Sequence, residues 1–137
     1  MNEIDTLRRV LRDCRTIAVV GLSAEGNRPS YVVAKYLQER GYRIVPVNPK
    51  YPEILGETCY PDLKSIPFPV AMVDVFRKPQ DCPAIARDAA AIGARVLWLQ
   101  IGVINEEARR LAEDAGLTVV MDRCVKIEYA RLFGGLD

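Results

Sequence analysis

Thr16-Ile-Ala-Val-Val20, Gly21-Leu-Ser-Ala-Glu-Gly-Asn-Arg28 and Pro29-Ser-Tyr-Val-Val-Ala-Lys-Tyr-Leu37 follow one another without interruption. The first piece is a short continuous apolar run, the pattern of a strand buried on both faces. The third places Val32, Val33, Tyr36 and Leu37 at helical spacing, starts with proline in its first turn and stops at Gly41. Strand, glycine loop and helix in that order open a βαβ unit, and Arg43-Ile-Val-Pro-Val47 reads as its second strand. In the loop, Gly21 lets the chain turn tightly out of the strand, and Gly26 permits close backbone approach. The first-turn amides of the helix face that loop with about half a positive charge behind them. Ser23, Asn27 and Ser30 add neutral donors and Arg28 a planar cationic fork. This suits a pyrophosphate. The spacing, G-x-x-x-x-G with no Lys-Ser/Thr after it, is neither a P-loop nor the three-glycine fingerprint. A strand-to-helix turn that uses glycine only for geometry would read the same.

The end of the second strand narrows the ligand. An NAD site wants a carboxylate there, ~20 residues past the loop, to accept from the ribose hydroxyls. Asn48-Pro49-Lys50 stands in its place. Lys50 near the ribose would favour a ligand with a phosphate at that position, such as NADP or coenzyme A, unless it is one more solvated lysine.

Outward from this unit, helix and strand patterns alternate to both ends, the signature of an α/β fold with a mainly parallel sheet. An opening helix puts Ile4, Leu7, Leu11 and Cys14 on one face. The proline-rich stretch 48–69 reads as a ligand-facing loop, a short edge strand near Thr58-Tyr60 and a helical turn at Asp62–Ile66. Val70–Val75 is a central strand, Asp81–Ile92 a helix and Arg95–Leu99 the next strand. Asn105 caps a helix with Ala108, Leu111, Ala112 and Ala115 inward, and Gly116 stops it. Leu117–Met121 is the last strand, and Val125, Tyr129 and Leu132 mark a final short helix. Right-handed crossovers give a Rossmann-like, doubly wound sheet of strand order 3-2-1-4-5-6 in one domain over 1–137. Ligands bind such sheets beyond the carboxyl ends of the strands, where the order reverses. Four segments converge there: 21–30, 48–50, Phe76-Arg77-Lys78 and Gln100-Ile-Gly102.

Several of these residues carry two readings. Phe76 and Arg77 supply a stacking face and a phosphate partner, or a core residue and a strand cap. Gln100 and Gly102 read an amide or base edge and leave room for a ligand, or serve turn chemistry. Asp74, inside a buried strand pattern, is structural and held by backbone amides, or helps position the loop. Cys124, between Arg123 and Lys126, is a thiol of lowered pKa or a buried inert one.

Composition limits the chemistry. The 137 residues are 50% hydrophobic with a net charge of +1, so no basic field points to nucleic acid. No apolar run has the ~18–20 residues of a membrane helix. The first residues lack the basic and apolar regions of a signal peptide, which favours the cytoplasm. The cysteines at 14, 59, 82 and 124 form no C-x-x-C pair and no zinc pattern. There is no histidine, which removes Ser-His-Asp, Cys-His and phosphohistidine chemistry together.

Taken in order, V-V-G-L-S-A-E-G-N-R-P-S-Y (19–31), Y-L-Q-E-R-G-Y-R-I-V-P-V-N-P (36–49), E-I-L-G-E-T-C-Y (53–60), V-D-V-F-R (73–77), V-L-W-L-Q-I-G-V (96–103) and G-L-T-V-V-M-D-R-C (116–124) resemble the small stand-alone CoA-binding proteins. These are relatives of the CoA-binding domain of succinyl-CoA synthetase alpha subunits. The resemblance implies a Rossmann-like domain holding coenzyme A across the strand ends. On that model Gly21, Ser23, Arg28 and Ser30 hold phosphates. Val47, Asn48, Pro49 and Lys50 flank the adenosine and its 3′-phosphate. Val75, Phe76 and Arg77 form the opposite wall, and Gln100 and Gly102 approach the pantetheine arm. The ligase's phosphohistidine and ATP-grasp partner have no counterpart in these residues. The expected function is a non-catalytic carrier, sensor or partner module for CoA or an acyl-CoA, with a protein partner open. The alternatives are an NADP-dependent oxidoreductase and a thiol protein whose Cys124 forms a mixed disulfide with CoA.

Overall fold

The computed structural model describes residues 3–134. Its elements are α1 (Glu3–Asp13), β1 (Thr16–Val20), α2 (Pro29–Glu39), β2 (Arg43–Val47), β3 (Glu53–Ile54), β4 (Glu57–Thr58), β5 (Met72–Val75), α3 (Cys82–Ala91), β6 (Val96–Leu99), α4 (Glu106–Asp114), β7 (Thr118–Val120) and α5 (Val125–Phe133). Five strands form one parallel sheet in the order β2-β1-β5-β6-β7. Strand residues alternate between two apolar layers. Ile17, Val19, Ile44, Met72 and Trp98 face α1, α2 and α5, whereas Ala18, Val45, Val73, Val75 and Leu97 face α3 and α4. Both faces are covered, so the strands read as apolar runs rather than as alternation.

The Rossmann-like class stands, and the strand order is corrected. The expected third strand does not join the sheet. Residues 53–58 close instead into an antiparallel hairpin whose turn residues Leu55 and Gly56 both have positive φ, 56° and 75°, the geometry of a type I′ turn. The chain then meets β2 at a single parallel bridge between Val47 and Tyr60. Pro61 and the turn at Leu63–Ser65, capped by the Asp62 carboxylate, lead it away. The sheet is therefore one strand narrower than the expected 3-2-1-4-5-6.

Two helix faces also differ from the periodicity. Ile4 and Val32 are 44% and 40% exposed, and Val10 and Ala34 take the inward positions. The expected cap is present, Asn105 accepting from the Ala108 N–H at 2.8 Å at the start of α4, and in β6 Trp98 is fully buried. Helix α5 is held by Tyr129, which stands edge-on to Tyr36 and Tyr42 at 6.0 and 5.9 Å. Among the described residues no helix is long and apolar enough to cross a membrane.

Candidate functional site

The strand order reverses between β1 and β5, because the chain leaves β1 toward β2 on one side and returns to β5 on the other. Gly21 sits at that point. Its N–H donates to the Val47 carbonyl of β2 at 2.9 Å, and its φ is +87°. A Cβ built there would lie 2.5 Å from the Phe76 carbonyl oxygen and 3.0 Å from Cδ of Arg77. Glycine is required here by both space and backbone conformation.

Two cavities open on either side of Gly21, and Gly21, Asn48 and Arg77 line both. The first, of about 380 Å³, lies against α3 and is walled by Val20, Val47, Pro49, Leu63, Ala84 and Ile85. Asp62, Asp81 and Asp88 stand along it. The second, of about 370 Å³, lies at the start of α2 and is lined by Ser23, Arg28, Ser30, Lys50, Tyr51 and Phe76. One compartment is mainly apolar with carboxylates, the other polar and rich in cations.

The polar compartment is braced from within. Ser30 Oγ accepts from the Ser23 N–H, and Ser23 Oγ accepts from the Glu25 N–H, each at 3.0 Å. Both hydroxyls are thus fixed as acceptors inside the loop and keep their O–H hydrogens to donate. Arg28 is the N-cap residue of α2, yet its side chain does not cap the helix. The helix start therefore opens on the cavity with its dipole unscreened by a cap. Arg28 pairs with Glu25 at 3.4 Å on the surface, a pairing of little energetic weight. Asn48 joins the two loops: its Nδ2 donates to the Leu22 carbonyl at 3.1 Å and its Oδ1 accepts from the Lys50 N–H at 3.0 Å. Its amide thereby ties the loop after β1 to the loop after β2. Arg77 bridges the compartments, held by Asp81 at 3.2 Å.

Of the residues singled out from sequence, Gly21, Ser23, Arg28, Ser30, Val47, Asn48, Pro49, Lys50, Phe76 and Arg77 line one or both cavities. Val75, Gln100 and Gly102 line neither. Val75 is fully buried in the layer behind the wall. Gln100 is buried beneath its loop, where its Nε2 donates to Oδ1 of Asp74 at 2.5 Å. The Gly102 N–H donates to the Asp122 carboxylate at 2.7 Å. Sequence reasoning missed the wall toward α3, above all Ala84 and Ile85 of α3 and Gln80 just before it. The available signal was Pro83 in the first turn of a helix that follows the strand beside the switch point.

Asp74 is fully buried, and its Oδ2 has no partner. Burial pushes its pKa up to about 7, while the Gln100 amide and the Val75 backbone pull the other way. Burial likewise raises the Cys14 and Cys59 thiols. It pushes Cys82 up to about 11, with the Asp81 charge adding to the effect. Cys124 is half-buried at the cap of α5. Arg123 pairs with Glu3 and Glu128, and Lys126 Nζ lies 5.2 Å from the centre of the Tyr36 ring.

A family model described as a CoA binding domain matches residues 15–130. The uncharacterised protein YneT of Bacillus subtilis is 40% identical over 124 residues, covering 90% of this chain and 92% of that protein. The solved structure of a hypothetical protein from Pyrococcus horikoshii superposes with a TM-score of 0.94 at 41% identity, over 97% of this chain and 94% of the other. An ADP-forming acetate–CoA ligase of Archaeoglobus fulgidus is 25% identical over 121 residues, covering 81% of this chain and 18% of the ligase.

Proposed function

This chain belongs to the CoA binding domain family, and we propose that it binds coenzyme A or a CoA thioester as a carrier, sensor or partner module, without itself carrying out a reaction. The observation that carries this reading is the pair of unlike compartments meeting at Gly21, Asn48 and Arg77. Coenzyme A has the same division: a flat base at one end of a ribose, and phosphates beyond it. The apolar compartment suits the adenine, sandwiched between Val47 and Pro49 on one side and Ala84 and Ile85 on the other. Asp62, Asp81 and Asp88 would repel a phosphate from that compartment and accept from the base's exocyclic amine. The polar compartment suits the pyrophosphate, with the Ser23 and Ser30 hydroxyls, the first turn of α2 and the Arg28 guanidinium as donors. Lys50, exposed at the end of β2, is within the segment where a ribose phosphate would lie. Arg77 sits where the two halves join and suits either phosphate.

The absence of histidine removes the phosphohistidine route by which such a domain could take part in acyl transfer on its own. Calorimetric titration with CoA, dephospho-CoA, NADP and NAD tests the reading. CoA should bind, dephospho-CoA about tenfold more weakly for the loss of one charge-assisted contact to Lys50, and NAD not measurably. A chain that ignores CoA refutes the function. Equal affinity for CoA and dephospho-CoA removes the role given to Lys50. A preference for NADP over CoA would favour the oxidoreductase alternative.

A further inference from the structure

The loop that follows β6 reads Ile101-Gly102-Val103-Ile104, four residues without a polar side chain, of which Val103 is buried and the two isoleucines are exposed. Exposed apolar surface on a loop at the ligand-facing end of a parallel sheet is where a binding contact is sought. Ile101 is 61% exposed and Ile104 51%. Loose packing does not account for it, because the loop is pinned on every side. Gln100 below it is held by Asp74, and the Val103 N–H donates to the Gln100 carbonyl at 2.9 Å. The Val103 side chain is buried in the layer under α3 and α4. The Gly102 N–H is held by Asp122, and Asn105 both caps α4 and donates from Nδ2 to the Pro79 carbonyl at 3.0 Å. A rigid turn thus holds two isoleucines up into solvent.

Their place in the fold gives them an occupant. The Asn105–Pro79 hydrogen bond ties this loop directly to the segment that carries Phe76, Arg77 and Gln80, the wall of the two cavities. A ligand with its phosphates over the end of β1 has β5 and then β6 as the next strand ends along the sheet. Two strand spacings are roughly 10 Å, within reach of the long arm of a coenzyme. Resting on the reading given above, we infer that Ile101 and Ile104 are the platform for the acyl group at the far end of that arm. The physiological ligand is then a thioester with an aliphatic acyl chain of several carbons, rather than free CoA or acetyl-CoA. An apolar acyl chain emerging from a charged crevice needs apolar surface close by, and these two side chains supply it without closing the site.

Calorimetry on the whole chain with CoA, acetyl-CoA and octanoyl-CoA tests this, together with the double variant Ile101→Ser, Ile104→Ser. Octanoyl-CoA should bind roughly tenfold more tightly than acetyl-CoA, the effect of about two buried methylenes. In the double variant that ratio should fall below about threefold. Acetyl-CoA and octanoyl-CoA binding equally well to the native chain would overturn the inference while leaving CoA binding intact. A ratio that survives in the variant would overturn the assignment to these residues. A native dimer that the variant dissociates, with no acyl preference, would show that the patch covers a second copy instead. Failure of all three ligands to bind would refute the underlying function.

Discussion

Replacing Asp74 by asparagine should change how the stability of the fold depends on pH. The carboxyl is fully buried between β1 and β6, one oxygen accepting from Gln100 and the other unpartnered. Its pKa is raised to about 7, against about 3.9 in an unfolded chain. A raised acid pKa means that the folded state holds a proton the unfolded state has released. Stability therefore falls as pH rises from about 4 to about 7, and the loss is complete above that. Three pH units correspond to about 4 kcal/mol. Asparagine keeps the acceptor for Gln100 and carries no charge at any pH. Its amide donors would be left short of partners, at a cost of about 1–3 kcal/mol. The variant should consequently match the native chain or fall below it at pH 5, and exceed it by about 1–3 kcal/mol at pH 8. Urea unfolding followed by the fluorescence of Trp98, the one tryptophan and the cross-strand neighbour of Asp74, measures both. The difference between the two proteins cancels the contributions of every other group. A difference that stays constant from pH 5 to pH 8, or a variant less stable at pH 8, would refute the buried-charge argument.

Other outcomes follow from the same geometry. Gly21→Ala should lose about 2–4 kcal/mol, since it combines a left-handed φ with a Cβ set against the Phe76 carbonyl; a loss under about 1 kcal/mol in denaturant unfolding would mean that the close approach is not a constraint. Asn48→Ala removes the hydrogen bond to the Leu22 carbonyl that joins the two loops, and the local one that holds Lys50, and should weaken CoA binding by about tenfold in calorimetry. An effect below twofold would show that the walls hold without it. Among the four cysteines, only Cys124 is not buried. At pH 8, alkylation followed by intact-mass analysis should modify one thiol quickly in the native chain and four in denaturant. Fast labelling of Cys82, whose thiol is pushed up to about 11, would contradict its burial.

How much of this was legible in the sequence varies from residue to residue. The glycine loop at 21–28 and the proline-started helix after it were readable because backbone chemistry acts over a few residues. The same holds for the Asn105 cap and the Asp62 turn. The third strand was not readable. Thr58 and Tyr60 have strand-like composition, but the Leu55–Gly56 turn pairs residues 53–58 with one another before they can reach β2. Ile4 and Val32 satisfied the periodicity and still face solvent, because the width of the buried stripe depends on what packs against it. The two readings of Gln100 were equally good from sequence, and its orientation depends on Asp74, a residue 26 positions away.

By itself, then, the sequence determined the parallel α/β class, the tight turn at Gly21, the missing acid at the end of β2 and the absence of histidine chemistry. Each of these is a property of a residue and its near neighbours. The tertiary structure alone decided that Asn48 reaches the Leu22 carbonyl and that Gln100 is buried against Asp74. It also decided that α3 supplies one wall of the crevice. Its last contribution concerns the loop after β6, where an anchored turn leaves Ile101 and Ile104 exposed. These are matters of which distant segments meet, and the packing of whole layers settles them.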